Sequence, residues 1–298
     1  MRKVYYIIVL TILCFSCQSN IERKTISKEE VIGNLKSQLE FPSPLLIETP
    51  NFDGNVLPSE LNNFLTLQLE SKKQNQITDD ENWFTNNQLS LPTYTVFNEF
   101  RNIKGNLPSS IPKKYKDYII TDGFKYDNYH IFFYGVNFGE KRFLIVTNTE
   151  DTQIEYFLDF KNFNYAPKAL EGDEDFVFQS IQWAIIEDNI LYISHAHSTN
   201  AKSSYGKNAY ISAIDLKSFK VIWTTKPLSC NSTFTLADNS IICGYGFSAE
   251  SDYLFVLDKK TGARKQTLKL DKGPSYIVQK DNKIFVRTYD IDYVFSIK

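Results

Sequence analysis

The sequence is short of the residues and motifs that usually announce chemistry. It holds three His and four Cys in 298 residues. It contains no G-x-S-x-G, no H-E-x-x-H, no phosphate-binding loop and no dinucleotide fingerprint, so the enzyme classes those patterns mark have no signature here. Glycosidase carboxylates carry no motif, and the 35 Asp and Glu offer no way to choose a pair. Charge of one sign is also missing: 33 Lys and Arg against 35 Asp and Glu leave a net charge of −2. That balance points neither to nucleic acid nor to an anionic membrane surface. What the chain does have is core material. Apolar residues make up 42 % and aromatics 15 %, with 23 Phe and 18 Tyr, a bias that favours strands over helices.

Two of the four cysteines fall within the first seventeen residues, which stand apart from the rest. Met1-Arg2-Lys3 is a short basic lead, Val4 to Phe15 is almost unbroken apolar, and Ser16 precedes Cys17. The apolar run is too short to span a bilayer comfortably and reads as a secretory signal. Leu13-Cys14-Phe15-Ser16-Cys17 resembles a bacterial lipoprotein signal box, in which a small residue precedes the lipidated Cys. The resemblance implies that Cys17 becomes the first mature residue and carries acyl chains that tether the protein to a membrane. An ordinary cleaved signal and a short anchor are the alternatives. The expected location is the bacterial cell envelope, on the periplasmic face or the outer membrane.

The other two cysteines, Cys230 and Cys243, would then meet an oxidising compartment. If Asp238-Asn239 is a two-residue turn, Cys243 lies opposite Phe234 and Cys230 is four residues farther along. At about 3.3 Å per residue the two sit roughly 13 Å apart, beyond disulfide reach. Two small buried thiols are expected.

Residues 18 to 40 are polar, with Ser27-Lys28-Glu29-Glu30 as a capping box before Val31, Leu35 and Leu39. They read as a short helix or a flexible tether. Between 41 and 112, Pro42, Pro44, Pro50, Pro58, Pro92, Pro108 and Pro112 chop up the pattern, and 71 to 82 reads as a long surface loop. Only LNNFLTLQL (61–69) and LPTYTVFNEF (91–100) alternate well enough to be strands.

From Tyr118 onward the pattern repeats. WAIIEDNILYISHAH (183–197), TFTLADNSIICGYGF (233–247) and YIVQKDNKIFVRTYD (276–290) each read as apolar strand, Asp-Asn turn, apolar strand, with a fainter copy in GFKYDNYHIFFYGV (123–136). Asn tolerates the left-handed conformation of tight hairpin turns. A third strand follows each hairpin: RFLIVTN (142–148), AYISAID (209–215), DYLFVLD (252–258) and DYVFSIK (292–298). Three of the four continue into a polar turn and a fourth strand. This predicts an all-β fold, a β-propeller of four-stranded blades, over residues 41–298 and clearest over 118–298. The chain stops after a third strand, so a strand from the N-terminal part is expected to complete the last blade and cover its open edge. One or two blades from 41 to 112 would bring the number to about five to seven.

The turn after the third strand carries a second pattern. AIDLKSFKVIW (213–223) and VLDKKTGARKQ (256–266) align, with Ala213, Asp215 and Trp223 in the first copy and Asp258, Thr261 and Gly262 in the second. Ser218 and Phe219 stand where the second copy has Thr-Gly, Gln266 stands where the first has Trp, and VTNTEDTQIEY (146–156) is a decayed third copy. The Asp carboxylate can accept backbone N–H bonds two residues on, and Gly pays no Cβ penalty at positive φ. The pattern A-x-D-x-x-T-G-x-x-x-W is similar to the repeat of pyrroloquinoline-quinone-type (PQQ-like) propellers. That resemblance implies the blade architecture, with Trp223 as a wedge between blades. It implies no quinone activity, because a quinone-stacking Trp, a metal-holding Glu/Asn/Asp set and a vicinal disulfide have no counterparts.

His195-Ala196-His197 places two imidazoles on one face of a strand, where they could meet one zinc or copper. No third ligand is evident, and histidines partly exposed or hydrogen-bonded at a blade rim are the plainer reading. EGDEDF (171–176) is an acidic loop without EF-hand spacing. From Asn148 to Asp215 the repeat is roughly two dozen residues longer than from Asp215 to Asp258, and propeller insertions fall on loops of one face. A binding surface is therefore expected where 161–175 and 197–208 converge. The sequence reads as a lipid-anchored, non-enzymatic binding or scaffold module for a protein or saccharide, without cofactor, metal or nucleic acid. The competing reading is an enzyme using the propeller funnel, either a small-sugar hydrolase or a quinone-like oxidoreductase.

Overall fold

The computed structural model describes residues 38–59, 64–75, 80–90, 93–94, 107–137, 139–163, 171, 179–197, 202–247 and 250–298. The signal segment with Cys17, the capping-box helix and most of the acidic loop lie outside them. The chain first lays down β1 (Leu45–Leu46), β2 (Leu67–Gln74), helix α1 (Asp80–Asn86), β3 (Thr93–Tyr94) and β4 (Lys114–Tyr115). The first blade is β5 (Tyr118–Tyr126), β6 (Tyr129–Gly135), β7 (Lys141–Asn148) and β8 (Ile154–Asp159). The second is β9 (Ser180–Glu187), β10 (Ile190–Ala196), β11 (Tyr210–Asp215) and β12 (Lys220–Thr224). The third is β13 (Thr235–Ala237), β14 (Ser240–Tyr245), β15 (Asp252–Asp258) and β16 (Arg264–Leu270). Three strands remain for the fourth: β17 (Pro274–Lys280), β18 (Lys283–Thr288) and β19 (Ile291–Ile297). The fold is all-β, a propeller whose blades have four antiparallel strands; the first sheet gains β1, β3 and β4 at its edges and has seven.

The last blade is completed from the N-terminal side. β2 runs antiparallel to β19, from Ile291↔Gln74 to Ile297↔Leu67. Lys298 and Thr66 exchange backbone hydrogen bonds at 2.9 and 3.0 Å beyond the strand ends. The strand lies later than LNNFLTLQL suggested and takes in 71–74, which had read as loop. The helix Asp80–Asn86 begins inside that expected loop and runs past its end. Among the described residues the blades number four, and residues 41–112 contribute edge strands, a helix and connecting chain.

The Asp-Asn turns fall where expected, with one change of role. The Asp, at φ of 48° to 51°, is left-handed in all four (Asp127, Asp188, Asp238, Asp281), whereas among the four Asn only Asn189 has positive φ. Asp is the other residue whose short polar side chain makes that region accessible.

Blades bury their faces on each other, as no single sheet could alone. Phe124 of β5 stacks on Trp183 of β9 at 3.9 Å between ring centroids, 14° from parallel. One buried cluster joins Phe133 and Leu144 of the first blade, Ile193 and Ile211 of the second, and Ile241 and Phe255 of the third. A second joins Ile242 and Val256 of the third blade to Ile277 and Val286 of the fourth and Leu67 of β2. α1 packs Trp83 and Phe84 against Tyr276, and its Asp80 takes hydrogen bonds from Arg287 Nε and the Tyr276 hydroxyl, both at 2.9 Å.

Residues 38–59 and 64–75 touch all four blades in order. Phe41 packs on Tyr115, Tyr134 and Phe157, and Leu45–Leu46 adds a parallel strand to β8. Glu48 accepts from Val221 N–H at 2.7 Å, Asn55 bonds both the N–H and C=O of Thr224, and Leu57 N–H reaches Thr261 at 2.9 Å. Gln266, the residue in the Trp position of its repeat, clamps Leu67 through its N–H at 2.8 Å and its C=O at 2.9 Å. That side chain holds the closing strand, which is work an indole could not do.

Candidate functional site: a loop platform over a buried histidine

The described parts of the loops 161–175 and 197–208 each lie near His195: Phe163 touches its ring, and the Lys207 carbonyl accepts from Gln179, which bonds its Nδ1. A register shift between Ser194 and His195 interrupts the pairing of β10 with β9, which resumes at His195↔Ile181 and Ala196↔Ser180. His195 is completely buried. Its ring stacks on Tyr210 at 5.2 Å and meets the edge of Phe163 at 4.7 Å. Nδ1 lies 2.7 Å from Gln179 Oε1 and Nε2 lies 3.0 Å from Ser212 Oγ. An amide oxygen only accepts, so Nδ1 carries the proton and Nε2 accepts from the serine. Ser212 Oγ in turn lies 2.9 Å from Thr224 Oγ1, and Gln179 Nε2 donates to Lys207 C=O at 3.0 Å. Burial lowers the His195 pKa to about 3, so the neutral tautomer persists at physiological pH.

Three loops are anchored by this knot. Tyr210 donates to Phe52 C=O at 2.8 Å, Asn162 Nδ2 donates to Ile47 C=O at 2.9 Å, and His197 N–H donates to Asn208 Oδ1 at 2.9 Å. Above it Lys207 Nζ pairs with Asp53 at 2.8 Å. The turn 202–207 closes through Tyr205 N–H to Lys202 C=O and Lys207 N–H to Ser204 C=O. Tyr205, at φ 50°, holds its ring 71 % exposed beside Gly206 at φ 75°. The result is an exposed aromatic on a pinned loop.

His195 therefore does not offer a nitrogen to a metal, since both already have partners. His197 lies just past the end of β10 and is also buried; the rim exposure expected as one option for this pair is absent. No group of three His, Cys, Asp or Glu that could hold a metal occurs among the described residues. Gln179, Ser212, Thr224, Phe52 and Tyr205 are the participants that sequence reading missed; only Tyr205-Gly206 had a visible signal, an aromatic beside a turn glycine.

The repeat-motif residues sit at the junction of the second and third blades. Asp215 Oδ1 accepts from Lys217 N–H at 3.0 Å and Oδ2 from Ser218 Oγ at 2.7 Å, bonds that hold its carboxyl below the usual range. Asp258 Oδ1 accepts from Lys260 N–H at 2.9 Å and Thr261 N–H at 3.2 Å. Phe219, in the glycine position, takes φ 59°, and Gly262 takes φ 72°. Trp223 pairs with Ala213 across β12 and β11 and lies on Gly262 of the following blade, where a Cβ would come within 2.6 Å of its ring. Beside this junction is a cavity of about 440 Å³, lined by Val56, Lys226, Pro227, Ser229, Leu257, Gly262, Ala263 and Arg264, none of them acidic or histidine.

No family model matches the chain, and no curated protein does. Solved structures are similar at low levels. BamB from Moraxella catarrhalis is 11 % identical, over 60 % of this chain and 70 % of that one, with a TM-score of 0.31. Saccharomyces cerevisiae Sqt1 is 13 % identical, over 58 % of this chain and 42 % of that one, at 0.36. The WD40 β-propeller domain of Doa1 is 13 % identical, over 61 % and 62 %, at 0.32. The blade assignment rests on this protein's own sheets.

Proposed function

We propose that the protein is a lipid-anchored β-propeller of a bacterial cell envelope, built from PQQ-like repeats, that binds a protein or saccharide partner without catalysing a reaction. The observation that carries the reading is the loop platform: three loops pinned by the buried His195 network and presenting Tyr205 to solvent. A rigid exposed aromatic suits recognition, because it loses little conformational freedom on binding and offers apolar area with a polar tip. For a saccharide the ring supplies a stacking face; for a protein it supplies an anchor.

The test is retention of envelope components by immobilised protein. Tyr205→Ala should weaken binding of whatever the wild type retains by about thirtyfold, the scale of an aromatic hot spot. Equal retention by wild type and variant removes the platform from the function. The anchor is tested separately. Cys17→Ser should move the protein from the membrane fraction to the soluble fraction and abolish incorporation of labelled fatty acid. Unchanged labelling of that variant would dispose of the lipid assignment.

A further inference from the structure

The two cysteines beyond the signal segment meet, contrary to the sequence-based spacing. β13 is extended only over Thr235–Ala237; before it the chain bends at Asn231–Ser232. Asn231 N–H bonds Gly244 C=O at 3.3 Å, which brings Cys230 back alongside Cys243 on β14. Both thiols are free and completely buried. Cys230 Sγ reaches Ser232 C=O, and Cys243 Sγ bonds the carbonyl of Ser229, the residue next to Cys230, each at 3.4 Å.

We propose that Cys230 and Cys243 are a disulfide-forming pair, oxidised as the chain folds by a disulfide-bearing oxidant such as a thiol–disulfide oxidoreductase. The Cys230 thiolate attacks one sulfur of the oxidant's disulfide, forming a mixed disulfide and expelling the other sulfur as a thiolate. The Cys243 thiolate then attacks Cys230 Sγ and releases the oxidant's remaining sulfur. The pair gives up two electrons and two protons, and the oxidant's disulfide becomes a dithiol. Either cysteine can take either role while the chain is still folding; the folded surroundings differ between the two. Burial raises both thiols, but the Cys243 side chain and hydrogen bonds to the backbone bring Cys230 below its ordinary value and leave Cys243 above it. Arg264 supplies positive charge near Cys243 from its place on the face of Phe255, which is opposite Cys243 in the sheet. Arg264 Nη2 bonds Ser229 Oγ at 3.1 Å, and both residues line the open cavity, so solvent comes within one residue of the pair.

This chemistry is independent of the loop platform and of the anchor. In the test, the purified full chain is unfolded, reduced and refolded in oxidised and reduced glutathione, then mapped by mass spectrometry without reduction. A linked peptide joining Cys230 to Cys243, lighter by two hydrogens than the separate peptides, is the expected product. Adding reductant should then raise the unfolding constant of the wild type by about a hundredfold, as for other short closed loops, and leave Cys230→Ser unchanged. Separate alkylation of both cysteines after refolding would overturn the proposal, and so would their capture by Cys14 or Cys17.

Discussion

Trp223→Ala is expected to lower the unfolding free energy by about 3–5 kcal/mol, the range for removing a large aromatic from a well-packed core. Only 1 % of Trp223 is exposed. It stands opposite Ala213, which has no volume with which to fill a void, and its other side rests on Gly262 of the next blade. Neither neighbour can collapse into the space, so the cavity term adds to the lost transfer energy. Gly262→Ala attacks the same contact from the other side. It places a Cβ 2.6 Å from Trp223 Cε3 at φ 72°, where an L-residue already costs about 1–2 kcal/mol. In the double variant the clash has no ring to meet and only the backbone cost remains. The double variant should therefore lose less stability than the two single losses added together, read by urea unfolding. Strict additivity, or a Trp223→Ala effect under about 1 kcal/mol, would mean that the indole does not join the blades.

The same contact shows what was legible in the sequence. The alignment of residues 213–223 with 256–266 places a Trp in one copy and Gly in the other, but nothing in the letters says that the Trp of one blade lands on the Gly of the next. The hairpins were readable because an Asp-Asn turn separates two apolar runs four times; β6, β10 and β14 are buried on both faces and so read as nearly continuous apolar runs. β2 was not readable past Leu69. Six of the eight residues of LQLESKKQ are exposed, as an edge strand can be when it pairs on one side only. The expectation of two buried thiols holds, and only the spacing between them was misjudged. Their separation assumed an extended chain from 230 to 237, and a bend at Asn231–Ser232 halved the strand. At the candidate site the extra length between Asn148 and Asp215 is visible in the sequence. The His195 network could not be read, because Gln179, Ser212 and Thr224 are ordinary residues that acquire a role only through pairing across three strands and a loop.

That network makes stability depend on pH. His195 has its pKa at about 3 in the folded protein, against about 6.5 for an unperturbed histidine. Between those values the unfolded chain binds a proton that the native state refuses, so acid favours unfolding. The contribution is whole above pH ~6.5 and falls by up to about 1.4 kcal/mol per unit as pH drops toward ~3. Below that the native ring protonates as well and the loss stops growing. The groups that contact the ring are Gln179, Ser212, Tyr210, Phe163 and Phe52, none of which carries negative charge to support an imidazolium. His195→Gln removes the titration while keeping a polar side chain. It should be less stable than the wild type at pH 7.5, because Gln cannot serve both Gln179 and Ser212 with the same geometry, and the gap should close on acidification to pH 4.5. In the native wild type, the His195 ring resonances should hold their neutral positions over that range. A ring that titrates near 6.5 in the folded protein would show that the site is wet, and the platform above it would then lose the rigid footing on which its binding role depends.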